Sequence, residues 1–305
     1  MDDFFTYDMM LKLMPFKQRG WPELMRSGEG ETMSRETEGR VIGILDSGVG
    51  GLTVARKVMR QLPRETVYYL GDTKRCPYGP RSEDEVRQFT MEIIQFLLQF
   101  PLKAILIACN TATAAALRMV KQHVSLPVLG VIEPGARAAI KATKTGRIGV
   151  IGTQGTIQSG AYEQTLKRIH PGLEVHSLAC PTLAPLVESG LHQSEMAEQI
   201  VGESLKPLKG TGIDTLILGC THYPLLTDAI GKVMGDQVEI ISSAEETAAE
   251  LSTILHHQQL LSEREHPSHR FFTTGSPETF AEIAAGWFGF PVPVETAELV
   301  PVANP

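Results

Sequence analysis

Cysteine is scarce in this sequence, and its absence from certain patterns excludes several classes of protein. Only four cysteines occur among 305 residues, and no two of them form a Cys-x-x-Cys pair. So few cysteines argue against a disulfide framework, and the missing pair argues against zinc or redox centres built on that motif. We therefore expect free thiols in a reducing, cytoplasmic environment, with no metal site.

Long apolar runs and clusters of basic residues are lacking as well. No stretch is long and apolar enough to predict a membrane-spanning helix. Acidic residues outnumber basic ones by 35 to 28, which gives a formal net charge of -7. A nucleic-acid surface would need clustered Lys and Arg, so neither nucleic acid nor a membrane is expected as a partner. The length instead predicts about two globular domains.

The first 40 residues differ in composition from the rest. An apolar patch at 9–16 is interrupted by Lys12 and Pro15, which is unlike a secretory signal. Residues 27–40 are rich in Gly, Glu and Arg, and they predict a partly flexible N-terminal extension. Met33 lies within this extension, and we regard it as an alternative start of translation.

From residue 41 onward, short apolar runs alternate with stretches of helical periodicity. Ser82 with Glu85, and Ser243 with Glu246, form capping boxes that predict two helix starts. This alternation is typical of parallel sheets that are covered by helices on both faces. The predicted strands are 41–45, 66–70, 104–108, 147–151, 173–178, 215–218, 238–241 and 270–274.

The chain contains two similar halves. The Ile-Gly-Ile-Leu run at 42–45 recurs as Ile-Gly-Val-Ile at 148–151. A second apolar run also recurs, and a cysteine follows it in both halves, Cys109 in the first and Cys220 in the second. We therefore predict an α/β protein with two similar parallel-sheet domains and with the active site in the cleft between them.

The positions of these two cysteines favour chemistry. Cys109 opens a Cys-Asn-Thr segment and Cys220 a Cys-Thr-His segment, each where a strand ends and a helix is predicted to begin. Ligands of open α/β sheets bind beyond the carboxyl ends of strands, and a helix N-terminus attracts anions and lowers the pKa of a thiol. A single such cysteine is more often a small core residue. Two at matched positions indicate inversion of a stereocentre, with one thiol removing a proton and the other returning it.

A glycine-rich segment, 46–51, follows the first predicted strand. Its third fingerprint position is Thr53 rather than glycine, so it is not a dinucleotide-binding loop, and it lacks the Gly-Lys-Ser/Thr of a P-loop. Asp46 is either a helix cap or a carboxylate that orients a thiol or a substrate ammonium. Thr153 and Thr156, after the repeat of that strand, are either helix caps or substrate donors.

Other polar residues have both structural and functional interpretations. The Cys-Pro-Tyr-Gly segment at 76–79 reads by itself as a turn. His222 is either a structural histidine or a residue that tunes Cys220. Glu188 is either an exposed helix residue or the second half's counterpart of Tyr78.

Four segments together resemble the signature of the glutamate racemases. They are 46–54, 71–79, 108–113 and 218–224, and the resemblance runs from about residue 41 to 290. It implies a PLP-free, metal-free isomerase that interconverts L- and D-glutamate and supplies D-glutamate for peptidoglycan, the cell wall and cell shape. It also implies a first domain of residues 41–133 and 246–305, a second domain of residues 134–245, and often a homodimer.

Position by position, the resemblance implies roles for particular residues. Cys109 and Cys220 would be the two acid/base thiols. Asp46 would assist Cys109, whereas Glu188 and His222 would assist Cys220. Substrate contacts would come from Asp46, Ser47, Tyr78, Gly79, Asn110, Thr111, Thr221 and His222.

Several alternatives stay open at this point. Some racemases of this type carry an N-terminal extension and respond to a UDP-linked cell-wall precursor, but the composition of residues 1–40 does not show this. A racemase for aspartate, a related decarboxylase or isomerase, and a non-catalytic amino-acid-binding protein are rival functions. An enzyme that uses NAD is disfavoured by the failed fingerprint.

Overall fold

The computed structural model describes residues 39–302. Most of the N-terminal extension, including Met33, lies outside the described residues. Between residues 39 and 302, no helix is both long enough and apolar enough to cross a membrane. The strands are β1 (Val41–Asp46), β2 (Val67–Gly71), β3 (Leu102–Ile107), β4 (Val128–Gly130), β5 (Arg147–Gly152), β6 (Glu174–Ala179), β7 (Thr215–Gly219), β8 (Glu239–Ser242), β9 (Arg270–Thr273) and β10 (Val294–Thr296).

Helices connect these strands on both faces of the sheets. The helices are α1 (Leu52–Gln61), α2 (Glu83–Leu97), α3 (Asn110–His123), α4 (Ile132–Ala142), α5 (Gln154–Gln158), α6 (Ala161–Ile169), α7 (Leu183–Glu188), α8 (Glu195–Leu205), α9 (Thr227–Met234), α10 (Ser243–His257) and α11 (Pro277–Phe288). Short 3₁₀ helices cover Lys206–Leu208 and Tyr223–Leu226.

Two parallel sheets organise the molecule, as predicted. The first has the strand order β10-β9-β2-β1-β3-β4, and the second has the order β6-β5-β7-β8. All pairings in both sheets are parallel. The order β2-β1-β3-β4 is thus repeated as β6-β5-β7-β8, which is the structural form of the sequence repeat. We call the first sheet with its covering helices the first unit, and the second sheet with its helices the second unit.

The chain crosses between the two units twice. It leaves the first sheet after β4 and enters the second through α4, and it returns from β8 through α10. Apolar residues of α10, including Ala248 and Leu251, pack into the same core cluster as Val54 and Val58 of α1. The domain boundaries expected from the resemblance, 41–133 with 246–305 and 134–245, stay a prediction.

Apolar composition explains why the central strands are buried. Every residue of β1, β3 and β7 is buried, because helices cover both faces of each sheet. Side chains alternate between the faces, so Ile44 packs in one core cluster and Leu45 in another on the opposite side. The two sheets therefore hold rigid strand ends on which a site can be built.

The predicted capping boxes had different outcomes. Ser82 caps α2, and its reciprocal bond with Glu85 confirms the first box. The second box is wrong, because α10 begins one residue earlier and its N-cap is Ser242, whose side chain accepts from the Ala244 N–H. Strands β4 and β10 were not predicted, since each has only three residues and too little periodicity.

Candidate active site

A narrow cavity lies between the two units. Its walls follow the carboxyl ends of β1, β2, β3, β5, β6 and β7, so both sheets point their strand ends at the same space. The cavity is small, with a volume open to water of about 20 Å³. This suffices for about one water molecule. The lining residues are Ser47, Pro77, Tyr78, Gly79, Cys109, Asn110, Thr111, Thr153, Ala184, Gly219, Cys220, Thr221 and His222.

The structure brings most of the predicted site residues together in this cavity. Both cysteines line it, one from each unit, as do all predicted substrate contacts except Asp46. Asp46 and Glu188 do not line the cavity, but each contacts a residue that does, Thr221 for Asp46 and His222 for Glu188. The roles assigned to these residues stay predictions, whereas their shared location is observed.

Cys109 occupies the N-cap position of α3. Its Sγ accepts from the Ala112 N–H at 3.4 Å, and its thiol donates to Ser47 Oγ at 3.6 Å. Burial, and next the charge of Asp46, raise the pKa of Cys109 to about 12, although the Ala112 N–H and Ser47 act to lower it. The N–H group at the start of α3 acts in the expected direction, but the pKa of Cys109 is raised overall. Burial is the larger effect, and this thiol carries its proton at neutral pH.

Cys220 is flanked by a charged histidine. His222 Nδ1 lies 3.6 Å from Cys220 Sγ, and His222 Nε2 lies 3.0 Å from Glu188 Oε1. Burial by itself lowers the pKa of His222, but hydrogen bonds to Cys220 and Glu188 outweigh it and raise the pKa to about 10. At neutral pH His222 is therefore an imidazolium that can stabilise negative charge on the Cys220 sulfur.

Glu188 connects this pair to the first unit. Burial alone would raise the pKa of Glu188, but hydrogen bonds from His222 and Cys76 lower it. The Cys76 thiol donates to Glu188 Oε1 at 3.2 Å. Cys76 follows β2 and Glu188 ends α7, so this contact spans the two units beside the cavity.

Asp46 is fully buried at the end of β1 and does not itself line the cavity. Its carboxylate accepts from the Gly48 N–H at 3.0 Å and from Thr221 Oγ1 at 3.4 Å. Burial raises the pKa of Asp46, and the nearby charge of His222 acts against that shift. Asp46 thus acts on Cys109 through charge, while the direct partner of that thiol is Ser47.

The remaining polar residues form two hydroxyl networks. Thr111, Thr153 and Thr156 join their Oγ1 atoms in a triangle with sides of 2.9, 3.0 and 3.0 Å. Tyr78 donates to the buried Asp72 carboxylate at 2.5 Å, which fixes the loop after β2. The first network spans the two units, because Thr111 lies in the first turn of α3, while Thr153 is the N-cap of α5 and Thr156 lies within α5.

Tyr78 follows β2 and Glu188 follows β6, which are equivalent strands of the repeated order, but the two side chains make different contacts, and their correspondence stays a prediction. Tyr78 bonds within its own unit, whereas Glu188 bonds across the units to Cys76.

Sequence reasoning did not assign Pro77, Ala184 and Gly219 to the cavity, since nothing in their residue types marks a ligand contact. Among residues 39–302, no group of three or more His, Cys, Asp or Glu side chains is placed to hold a metal ion.

Fold and cavity together define an α/β enzyme of two units, with one thiol from each unit at a shared site. The family model described as Asp/Glu/Hydantoin racemase matches residues 42–251. The chain belongs to this family and is therefore a racemase, an isomerase.

Individual relatives agree with this assignment. A glutamate racemase from Bacillus cereus is 58% identical over 254 residues, which cover 83% of this chain and 94% of that relative. A crystal structure of a glutamate racemase isoform from Bacillus anthracis shares 57% identity, with a TM-score of 0.85, and covers 86% of this chain and 98% of its own. A Francisella tularensis glutamate racemase in complex with D-glutamate is 32% identical, with a TM-score of 0.80, over 87% of this chain and 98% of its own.

Proposed function

We propose that this protein is a glutamate racemase whose two thiols, Cys109 and Cys220, act on opposite faces of the α-carbon without a cofactor. The observation that carries the proposal is the pair of thiols, one from each unit, at a single cavity. Relatives that share more than half of this sequence are glutamate racemases, which supports glutamate as the substrate.

The proposed reaction begins with Cys220 as the base. His222 supports a thiolate on Cys220, and that thiolate takes the α-proton, so that an S–H bond forms as the Cα–H bond breaks. The electron pair passes to Cα and its carboxylate. Cys109, which carries its proton at rest, then protonates the opposite face and becomes the thiolate. The other enantiomer reacts in reverse, from the form in which Cys109 is the thiolate and Cys220 carries the proton.

Charge that develops on the substrate needs fixed donors. The N–H groups that begin α3 and the side chains of Ser47, Asn110, Thr111 and Thr221 line the cavity and can donate to carboxylate oxygens. We assign Asp46 to the substrate ammonium and His222 to a substrate carboxylate. Each also influences its adjacent thiol, Asp46 that of Cys109 and His222 that of Cys220. These groups are held before substrate arrives, so little reorganisation accompanies proton transfer.

The proposal extends to the cell. D-glutamate from this reaction would serve peptidoglycan synthesis, and the cytoplasm suits an enzyme that needs two free thiols, because a reducing compartment keeps thiols unpaired. We also propose a homodimer.

A homologue from Escherichia coli, 25% identical with a TM-score of 0.72 over 86% of this chain and 99% of its own, has been crystallised with L-glutamate and the activator UDP-MurNAc-Ala. Comparing the full chain with one that starts at Met33, with and without that precursor, tests activation of this protein.

Proton NMR of L-glutamate in D₂O tests the activity directly, with optical rotation followed in parallel. We expect the α-proton signal to disappear while the rotation decays to zero. If neither changes with glutamate but both change with aspartate, the enzyme is an aspartate racemase, and the substrate assignment is overturned.

Single Cys-to-Ser variants test the assignment of the thiols. Cys109→Ser and Cys220→Ser should each reduce the rate of racemisation by on the order of 10³-fold or more. Each variant should slow initial α-proton removal from a different enantiomer. Cys180→Ser is the matched control, because Cys180 is buried in the core of the second unit and its thiol faces a backbone carbonyl. Equal slowing of both enantiomers by one variant would contradict the two-thiol mechanism.

A further inference from the structure

The side-chain amide of Asn110 has one end fixed and one end free. Asn110 begins α3 and lines the cavity, with 2% of its surface exposed. Its Oδ1 accepts from Tyr162 Oη at 2.7 Å. Its Nδ2 is buried and has no hydrogen-bond partner among the described residues. A buried amide nitrogen without a partner is costly in a folded protein, and a ligand in the cavity could supply the missing acceptor.

Tyr162 comes from the other unit. It lies on α6, is 2% exposed, and reaches across to Asn110 of the first unit. Both crossings of the chain approach its hydroxyl. A side chain at Gly135 of α4 would come within 3.3 Å of Tyr162 Oη, and Ser243, the first residue of α10, forms a hydrogen bond with Tyr162.

The hydrogen bonds define which way the amide faces. An asparagine amide can rotate by half a turn and exchange its oxygen and nitrogen, and only its neighbours decide between the two states. A tyrosine hydroxyl has one proton to give. If Ser243 donates to the Tyr162 oxygen, the Tyr162 proton is directed to Asn110, which must then present Oδ1. The Nδ2 group is left as the free donor at the cavity.

We propose that Tyr162 is a positioning residue that holds the Asn110 amide with Nδ2 toward the cavity, where it donates to a carboxylate of the substrate. The inference rests on the proposed function, because it takes an amino-acid carboxylate as the ligand. Tyr162 itself does not line the cavity. It acts through Asn110.

The location of the contact has a mechanical consequence. Parts of two units that lie beside the chain crossings move least when the units separate. Tyr162 can therefore keep Asn110 oriented in an open state as well as in a closed one. The donor would be in place before substrate enters, which reduces the ordering that binding requires.

The test is steady-state kinetics of Tyr162→Phe with both enantiomers of glutamate. Phenylalanine keeps the ring in its packing site and removes only the hydroxyl. We expect KM to rise about threefold to tenfold in both directions with kcat little changed, because an oriented ground-state contact is lost while the thiols are untouched. Ser243→Ala should cause a smaller rise in KM. The Tyr162 hydroxyl keeps its proton but loses the partner that directs this proton toward Asn110.

A double-mutant cycle with Asn110→Ala separates positioning from general packing. If Tyr162 acts through Asn110, then Tyr162→Phe should change KM in the wild-type background and have no further effect in the Asn110→Ala background. The control is Tyr68→Phe. Tyr68 packs against Phe100 and Phe272 and hydrogen-bonds Arg270 away from the cavity, so this control should leave KM unchanged.

Each outcome decides a specific point. Effects of Tyr162→Phe and Asn110→Ala that multiply independently would overturn the positioning role, as would an unchanged KM in a folded Tyr162→Phe protein. A wild-type protein that does not turn over glutamate would overturn the proposed function instead. Thermal unfolding of each variant confirms that the proteins compared are folded.

Discussion

The two cavity cysteines are equally accessible but differ in their charged neighbours. Each residue is 6% exposed, so burial is similar for both and does not by itself favour labelling of either one. Burial and Asp46 keep the proton on Cys109, whereas the His222 imidazolium faces Cys220. Because thiolates react and thiols do not, a difference in reactivity between these two residues reports their charge.

Alkylation with iodoacetamide at neutral pH should modify Cys220 well before Cys109. With a pKa of about 12, Cys109 should react roughly tenfold faster for each unit of pH increase below that value. Peptide mass spectrometry of protein labelled for increasing times measures both rates. His222→Gln should slow the labelling of Cys220 alone. Faster labelling of Cys109 at neutral pH would contradict the proposed resting state.

The charge of Glu188 should affect the rate of catalysis through His222. Glu188→Gln keeps the shape but removes the charge that holds His222 protonated, so kcat should fall by about 10²-fold. The value of kcat/KM should fall equally for both enantiomers, since their equilibrium constant is one. Glu174→Gln is the control, because Glu174 lies 2.9 Å from His176 in a more exposed Glu–His pair that does not line the cavity. A comparable loss in the control would show that the effect is not specific to the site.

Single residues also show where sequence reasoning ends. The matched positions of Cys109 and Cys220 could be predicted, since each follows a recognisable strand. The Cys76–Glu188 and Tyr162–Asn110 contacts could not, because their partners lie 112 and 52 residues apart and come from different units. The raised pKa of Cys109 depends on burial, which motifs do not encode.

At the scale of elements, local signals predicted what local physics determines. The reciprocal bonds of Ser82 and Glu85 start α2, as their spacing predicts. Ser242 and Ser243 are adjacent candidates for the start of α10, and sequence spacing chose the wrong one. Ser242 has the extended backbone of an N-cap, while Ser243 is buried inside the first turn and its backbone oxygen accepts from Thr247. Ser243 instead forms a hydrogen bond with Tyr162, a tertiary contact that sequence spacing does not show.

The capping box of α2 predicts a change in stability without a change in activity. Ser82→Ala removes a side-chain acceptor from the Glu85 N–H, which should lower the free energy of unfolding by about 1 kcal/mol. Because α2 lies outside the cavity, kcat and KM at low temperature should be unchanged. Urea unfolding followed by circular dichroism gives the free energy. Ser125→Ala, at an exposed loop serine, should have no effect, and an equal loss there would argue against capping as the cause.

At the scale of the whole molecule, the repeated strand order explains the site. Each unit places a cysteine after the strand that pairs with its first strand, β3 beside β1 and β7 beside β5. Two such units facing each other bring the thiols to one cavity, which the sequence repeat predicted. The tightness of the cavity could not be predicted. Its open volume of about 20 Å³ is far smaller than an amino acid, so glutamate can enter only after the site opens, and we predict that the two units separate.

Separation of the units predicts a pattern of hydrogen exchange. The Gly155 N–H, near the start of α5, bonds to Gly79 O of the first unit at 2.9 Å. Opening breaks this bond but leaves bonds within a unit intact, such as that from the Ala108 N–H to Leu45 O. Without substrate, the Gly155 amide should therefore exchange with deuterium much faster than the Ala108 amide. Saturating glutamate should slow exchange at Gly155 and leave Ala108 unchanged, because bound substrate favours the closed state. Exchange resolved to single amides measures both. Equal protection of the two amides without substrate would mean that the units stay together, and glutamate would then have to enter by rearrangement of the 76–79 loop alone.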